Sequence, residues 1–375
     1  LPTISDVARE AGVSTVTVSR VLNNAPNVNR ATRRRVEEAI QELGYVPLAA
    51  ARSLRSKRTR SLALILPDIT NPFWTTVARG VEDAAQNSGY SVLLCNTDED
   101  CAKQSRYLEL VASRRVDGVI IAPFDSNAEN IGALRDREIA TVLVDRRITG
   151  WETDSVLGDS VGGARALVQH LISLGHHRIA AISGPANTST ARDRVDGYLS
   201  ALSQAGVHPD PALVRLGEFR ARSGERLMEQ LLDEGAHPTA VFAANNAIAM
   251  GVIDAAIRRG RRIPHDLALV SFDDFDAASH LFPFLTVAVQ PAYEMGAKAA
   301  ELLLSRIDAG AELAPRKVVL AVRLIIRHSC GSHLRDSDPG CAGIALPLAG
   351  VSAARTVLIE PTPDRVHAHV EEAIT

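Results

Sequence analysis

Val13 to Leu22 reads VSTVTVSRVL, and six of its ten side chains are β-branched. On propensity alone this is a strand. The flanking residues reverse that reading. Just upstream, TISDVAREAG places Ile4, Val7, Ala8 and Ala11 at the spacing of one helical face, with Gly12 as a stop. Ser14 can then cap a second helix, accepting from the amide of Val16 or Thr17. On that helix Val18, Val21 and Leu22 share the face turned to the first helix. A strand would scatter them over two faces of an isolated hairpin, which is marginal in water. Tertiary packing overrides propensity in short helices of this kind. A third segment, RATRRRVEEAIQELGY, aligns Val36, Ala39, Ile40 and Leu43 and ends at Gly44, completing a three-helix unit with one small core.

The outward face of the second helix carries Thr15, Val16, Ser19 and Arg20, a compact patch of short side chains plus one guanidinium. This suits the second helix of a helix-turn-helix, whose N-terminal half enters the DNA major groove. Thr15 and Val16 offer a hydroxyl and methyls to base edges, and Arg20 can pair bidentately with guanine. Arg30, Thr32 and Arg33, at the start of the third helix, are placed to reach phosphates, which position a reader without specifying sequence. An exposed helix face alone carries no function, so the surroundings decide. Residues 1 to 60 hold 11 Lys/Arg against 5 Asp/Glu, a net of +6, while the remainder of the 375-residue chain carries −9. Arg52, Arg55, Lys57, Arg58 and Arg60 all fall in a window without acids between Glu42 and Asp68. A basic head of this kind suits a polyanion.

TISDVAREAGVSTVTVSRVLN, followed by VNRATRRRVEEAIQELGYVPLAAARSL, resembles the DNA-binding head of the lactose-repressor (LacI/GalR) family of bacterial transcription regulators. The resemblance runs without a gap through about fifty-five residues. It implies a head followed by a hinge helix that folds on operator DNA when two subunits meet and inserts a leucine into the minor groove. AAARSL supplies that hinge, with Leu54 at the leucine position and Ala51, Arg52 and Arg55 beside it. Such a wedge costs a few kcal/mol of unstacking, offset by the wider contact of kinked DNA. One departure is Leu48, where relatives carry a polar residue.

From SLALILPD onward, apolar runs (SVLLCN, DGVIIAP, ATVLVD, RIAAISG, TAVFAAN, LALVSFDD) alternate with helical stretches such as FWTTVARGVEDAAQNSG. This alternation predicts parallel sheets sandwiched by helices, and its length predicts two α/β subdomains with a ligand cleft beyond the strand ends. The resemblance continues here, implying a periplasmic-binding-protein-like body that takes a small effector. Matching positions imply contacts from Phe73, Asp159, Thr190, Arg194, Phe219, Asn245 and Asp273. Asp273 ends a strand, where its carboxylate can accept from adjacent hydroxyls or cap the next helix, a job that Asp274 can also take. Arg194 offers a planar fork of donors, or else a surface ion pair. Phe73 and Phe219 can stack on a ring or fill the core. Asn245 is a donor and acceptor at a strand end, and Asn246 departs from the Asp common in the family.

Cys95, Cys101, Cys330 and Cys341 form no C-x-x-C pair and no zinc spacing, so neither a disulfide framework nor a metal is expected. No catalytic signature appears: GDSVGGA lacks the G-x-G-x-x-G pattern, and His176 and His177 belong to a turn. No enzyme activity and no cofactor are expected. There is no apolar run of membrane length and no signal-peptide layout, so no membrane partner is expected and the cytoplasm is the expected compartment, the nucleoid when operator-bound.

The expected domains are a helix-turn-helix head at 1–46, a hinge and linker at 47–60, a body at 61–330 and an extension at 331–375. The extension shows no leucine heptads and no functional signature. The expectation is a homodimeric repressor of double-stranded operator DNA, controlled by a sugar, polyol or nucleoside. The rival is a solute-binding protein of the same body fold without a DNA function.

Overall fold

The computed structural model describes residues 2–22, 25–45, 58–275, 283–310, 313–334 and 355–359. The chain divides into two compact units, Leu1–Thr59 and Arg60–Thr375. The first is the helical head: α1 (Ile4–Glu10), α2 (Thr15–Leu22) and α3 (Arg30–Leu43). Thr3 and Asp6 form a reciprocal capping box on α1. The β-branched run is helical, and Ser14 Oγ accepts from the Thr17 amide at 3.2 Å. Gly44 closes α3 in the left-handed region at φ 59°. Val7, Ala8, Val18, Val21, Val36, Ala39 and Tyr45 bury one core from all three helices. Full burial of one such valine contributes about 1.5–3 kcal/mol, enough to override its helix propensity deficit of under ~1 kcal/mol.

The second unit contains β1 (Ser61–Leu66), α4 (Pro72–Asn87), β2 (Ser91–Asn96), α5 (Cys101–Arg114), β3 (Gly118–Ile121), α6 (Gly132–Asp136), β4 (Ala140–Val144) and β5 (Asp154–Gly158). It continues with α7 (Ser160–Ser173), β6 (Ile179–Ser183), α8 (Ser189–Gln204), β7 (Val214–Leu216), α9 (Ala221–Asp233), β8 (Ala240–Ala243) and α10 (Asn246–Arg258). Then come β9 (Ala268–Phe272), β10 (Thr286–Val289), α11 (Ala292–Ala309), β11 (Lys317–Leu320), β12 (Val322–Ile326) and β13 (Arg355–Ile359).

Two sheets result, in the orders β11-β5-β4-β3-β1-β2 and β13-β12-β10-β9-β8-β6-β7. The first is parallel throughout. The second is parallel up to β10, after which β12 and β13 add in antiparallel fashion. Strands covered by helices on both faces read as continuous apolar runs, and SLALIL and ALVSF do so. The last strand of the second sheet comes from the segment 331–375 that the sequence reading set apart. It pairs with β12 over all five residues, and its Ile359 packs on the subdomain core.

The chain passes between the sheets three times. β5 leads into α7, which packs on the second sheet, β10 leads into α11, which packs on the first, and β11 leads into β12 through Ala321 alone. The crossings touch one another. The Asp159 amide donates to Leu320 O at 3.1 Å, and a Cβ on Gly158 would stand 2.0 Å from Gln290 Oε1. Glycine at 158 is what allows that approach. No described helix is long and apolar enough to cross a membrane.

Candidate functional site

In the head, the buried Val18 and Val21 fix the rotation of α2 and so turn Thr15, Val16 and Arg20 outward, with Ser19 half-buried beside them. Val16 is 50% exposed although Val18, two residues on, is fully buried. An apolar side chain left in water at a helix N-terminus, next to a hydroxyl and a guanidinium, is an arrangement that base edges complement. At the start of α3, Arg30 is exposed and Thr32 half-buried, and the Thr32 amide is held by the N-cap Asn29 at 2.7 Å. Arg33 Nη2 donates to Ala25 O and ties α3 to the preceding loop. The hinge residues Ala51, Arg52, Leu54 and Arg55 lie outside the described residues.

In the body, a cleft between the two subdomains is lined by six of the seven residues that the sequence suggested: Phe73, Thr190, Arg194, Phe219, Asn245 and Asp273. The structure does not bring Asp159 to that wall. Asp159 sits at the first crossing and caps α7, its Oδ1 accepting from the Gly162 amide at 2.8 Å. The sequence reading missed Asp68, Asn71, Trp74, Glu99, Asp145 and Arg146, which complete the lining. The cleft holds about 380 Å³ of space, its open mouth included.

Two aspartates organise it. Asp145 follows β4 and Asp273 follows β9, one in each subdomain, and both take the left-handed backbone conformation, at φ 64° and 60°. Each amide is fixed to a neighbouring strand segment, Asp145 to Val156 O and Asp273 to Ala288 O. Aspartate tolerates this region better than most residues, yet it still costs of order 1 kcal/mol, and such strain clusters at ligand sites. A glycine would relieve the backbone but remove the carboxylate. Sequence could have shown the pair: ATVLVD ends as LVSFD does, with an acid directly after a buried apolar run.

Burial pushes the Asp273 carboxyl up to about 6, against the pull of Arg194 and Gln290. Burial raises Asp145 as well, opposed by Arg194 and Arg146. Gln290, at the second crossing, donates through Nε2 to Asp273 Oδ1 at 3.0 Å and reaches Asp145 Oδ1 at 3.4 Å. Arg194 donates to Ala244 O at 2.6 Å, lies 3.8 Å from Asp273 and stacks 4.0 Å over the Phe272 ring. Arg194 Nε and Gln290 Oε1 are buried without a hydrogen-bond partner among the described residues. Groups of this kind are costly to leave unpaired.

Glu99 holds Arg146 in a bidentate pair at 2.5 and 2.9 Å, and that guanidinium lies 5.6 Å from the Phe219 ring centroid. Phe73 meets Trp74 edge to face at 4.8 Å. Gly184 makes room for Phe219, which a Cβ there would strike at 2.3 Å. Asn245 caps α10 through Oδ1, and its Nδ2 stands 3.5 Å from Phe219 O. Asp274 is engaged elsewhere, in a bidentate pair with Arg327 at 2.6 and 2.9 Å. The subdomains also meet through Arg147 and Asp193, bidentate at 2.6 and 2.7 Å, and through Arg192 to Ser126 Oγ at 3.0 Å. Among the described residues no group of three or more His, Cys, Asp or Glu is arranged to hold a metal ion.

This architecture matches known families over most of the chain. Residues 59–328 match the periplasmic binding proteins and sugar binding domain of the LacI family, and residues 3–47 match the bacterial regulatory proteins of the lacI family. The HTH-type transcriptional regulator DegA of Bacillus subtilis (strain 168) is 37% identical over 330 residues, covering 87% of this chain and 97% of that protein. The ribose operon repressor of Escherichia coli (strain K12) is 37% identical over 308 residues, covering 82% and 93%. Among solved structures, the lac repressor dimer bound to operator and the anti-inducer ONPF superposes with a TM-score of 0.77 at 28% identity, covering 88% of this chain and 99% of that one. The transcriptional regulator CelR–cellobiose complex gives 0.67 at 34% identity, covering 88% and 100%. A helix-turn-helix head joined to a two-sheet body with a polar cleft thus has one reading: the chain belongs to the LacI family and is a DNA-binding transcriptional regulator, not an enzyme.

Proposed function

We propose that the chain is a homodimeric repressor whose operator affinity is set by a small, unphosphorylated sugar held in the cleft. The observation that carries the choice of effector is the pair of buried strand-end aspartates, each beside an arginine, set among Phe73, Trp74 and Phe219. A carboxylate accepts from two adjacent hydroxyls, a guanidinium donates to hydroxyl and ring oxygens, and aromatic faces cover the apolar C–H surface of a sugar. Asp68, Glu99, Asp145 and Asp273 outnumber Arg146 and Arg194, which disfavours a phosphate or carboxylate on the ligand. The 37% identity to a ribose operon repressor supports the same class.

The head reads operator bases through Thr15, Val16, Ser19 and Arg20 and phosphates through Arg30 and Thr32, with Ala51, Arg52, Leu54 and Arg55 serving as the hinge. The chain works in the cytoplasm, on the nucleoid when operator-bound. A second copy covers the groove between α4 and β2, where Ile69 and Leu94 are exposed beside Arg79, Glu82 and Asp83. Effector and operator must change each other's affinity by the same factor, about 1–3 kcal/mol in typical cases.

Calorimetric titration of the full chain with pentoses, hexoses, their phosphates and nucleosides tests the effector, alongside operator binding with and without each compound. Saturable binding of one free monosaccharide together with a shift in operator affinity is expected. Tighter binding of a phosphorylated compound or a nucleoside overturns the sugar assignment. In the head, Arg20→Ala should cost about 1–3 kcal/mol and relax preference at one base pair. A uniform loss on all sequences would make Arg20 a phosphate contact.

A further inference from the structure

At one lip of the cleft, two helix N-termini from different subdomains meet through a pair of side-chain amides. Asn71 is the N-cap of α4, its Oδ1 accepting from the Phe73 amide at 3.0 Å. Asn246 is the first residue of α10. Asn71 Nδ2 donates to Asn246 Oδ1 at 2.8 Å, and Asn246 Nδ2 donates back to Asn71 Oδ1 at 3.1 Å. The same Asn246 Nδ2 reaches Asp274 O at 3.1 Å, and its Oδ1 also accepts from the Ala247 amide at 2.8 Å. Asn246 is fully buried yet forms no part of the cleft lining. We infer that the Asn71–Asn246 pair is a neutral latch, which sets the fraction of molecules standing closed and, through that fraction, the affinity for the effector. The inference rests on the cleft being the effector site.

The chemistry at position 246 is restrictive. Reciprocal pairing needs a donor and an acceptor on one planar group, and only a carboxamide of this length offers both. An ionised aspartate has no donor for Asn71 Oδ1 or Asp274 O. It would also add a charge next to Asp273 and Asp274. The Arg147–Asp193 contact joins the same subdomains with full charges and is 33% exposed on the arginine side, so salt screens it. The amide pair keeps its strength at any ionic strength. A ligand that binds only the closed form loses apparent affinity in proportion to the closed fraction. Weakening the latch at Asn246, which is off the cleft wall, therefore weakens binding without removing a lining residue.

The test has one readout without ligand and one with it. Spin labels on Glu109→Cys and Ser203→Cys, both exposed positions, in a full chain with Cys101→Ser and Cys341→Ser and diluted into unlabelled chain, report the separation of the subdomains. Asn246→Ala should shift or broaden that distance with no sugar present, and should raise the Kd for D-ribose about tenfold, mostly through faster release. Asn71→Ser keeps a capping hydroxyl but cannot reach Asn246, so it should open the cleft to the same extent, and the double variant should open it no further. Asn71→Ser carries the test if Asn246→Ala does not fold. An unchanged label distance in both variants, or additive effects in the double, overturns the latch. If wild type ignores D-ribose, the sugar assignment fails there, and the label distances still decide the latch.

Discussion

Two buried aspartates in the body experience opposite surroundings. Asp154, at the start of β5, is fully buried and receives Arg306 Nε at 3.0 Å and Nη2 at 2.9 Å, the Arg316 amide at 2.7 Å and Arg316 Nη2 at 2.8 Å. Burial alone would raise it, but those donors outweigh burial and hold the carboxyl at about 2. Asp273 is 5% exposed, has one amide donor at 3.0 Å and an arginine standing off at 3.8 Å, and rises to about 6. The difference separates a carboxylate whose partners are all supplied by the fold from one whose partners are incomplete until something enters the cleft.

The largest effect should come from Asp154→Ala, which strands two guanidinium groups at the joint between β5, α11 and β11. A stability loss of about 3–5 kcal/mol is expected by denaturant titration, and a loss under ~1 kcal/mol would erase the contrast. Asp273→Asn should reduce effector affinity by about 10- to 100-fold while leaving the melting temperature unchanged or higher, because it removes a charge that burial penalises.

The pH dependences should have opposite signs. Asp154 binds its proton less tightly in the folded chain, so its stabilisation is full above the unfolded value near 3.8 and is lost as pH falls through about 2. Asp273 binds its proton more tightly when folded, so its contribution to stability falls as pH rises from about 4 to 6. Effector affinity should accordingly decline as pH falls through about 6, and a profile flat from pH 5 to 7 would place the ligand away from Asp273. The smallest effect should be that of Gln290→Ala: losing the amide donor should move the midpoint of that profile upward. No movement, read by the same titration, would mean that the amide does not support the ionised carboxylate.

The head was legible because its information is local. Gly12, Ser14 and the spacing of Val18, Val21 and Leu22 outvoted the β-branched run within a dozen residues. The strands were legible for a similar reason, as unbroken apolar runs. In the cleft, residues with a local signature were found, such as Asp273 at its strand end and Arg194 in RVDGY. Asp145 had the same signature and was passed over. Glu99 and Arg146 carry no local mark, since they become a pair only when residues 47 apart in sequence are brought together. Asn71 and Asn246 are 175 positions apart, and nothing in either segment names the other. Asp159 shows the converse, a residue selected by resemblance that stands off the cleft wall and caps a helix.

The triple passage between the sheets has a consequence for how the chain is born. Neither subdomain is continuous in sequence: β11, at one end of the first sheet, is Lys317–Leu320, and β12 of the second follows six residues behind at Ile326. At about 5–20 residues per second, a ribosome emits β11 and β12 within a second or two of each other, and the edge strand β13 follows a few seconds later. Neither lobe can finish before Leu320 has been made. The nascent body must stay incomplete until nearly all of it has been made, then consolidate as a whole, and a molecule able to sense its metabolite never exists as a fragment.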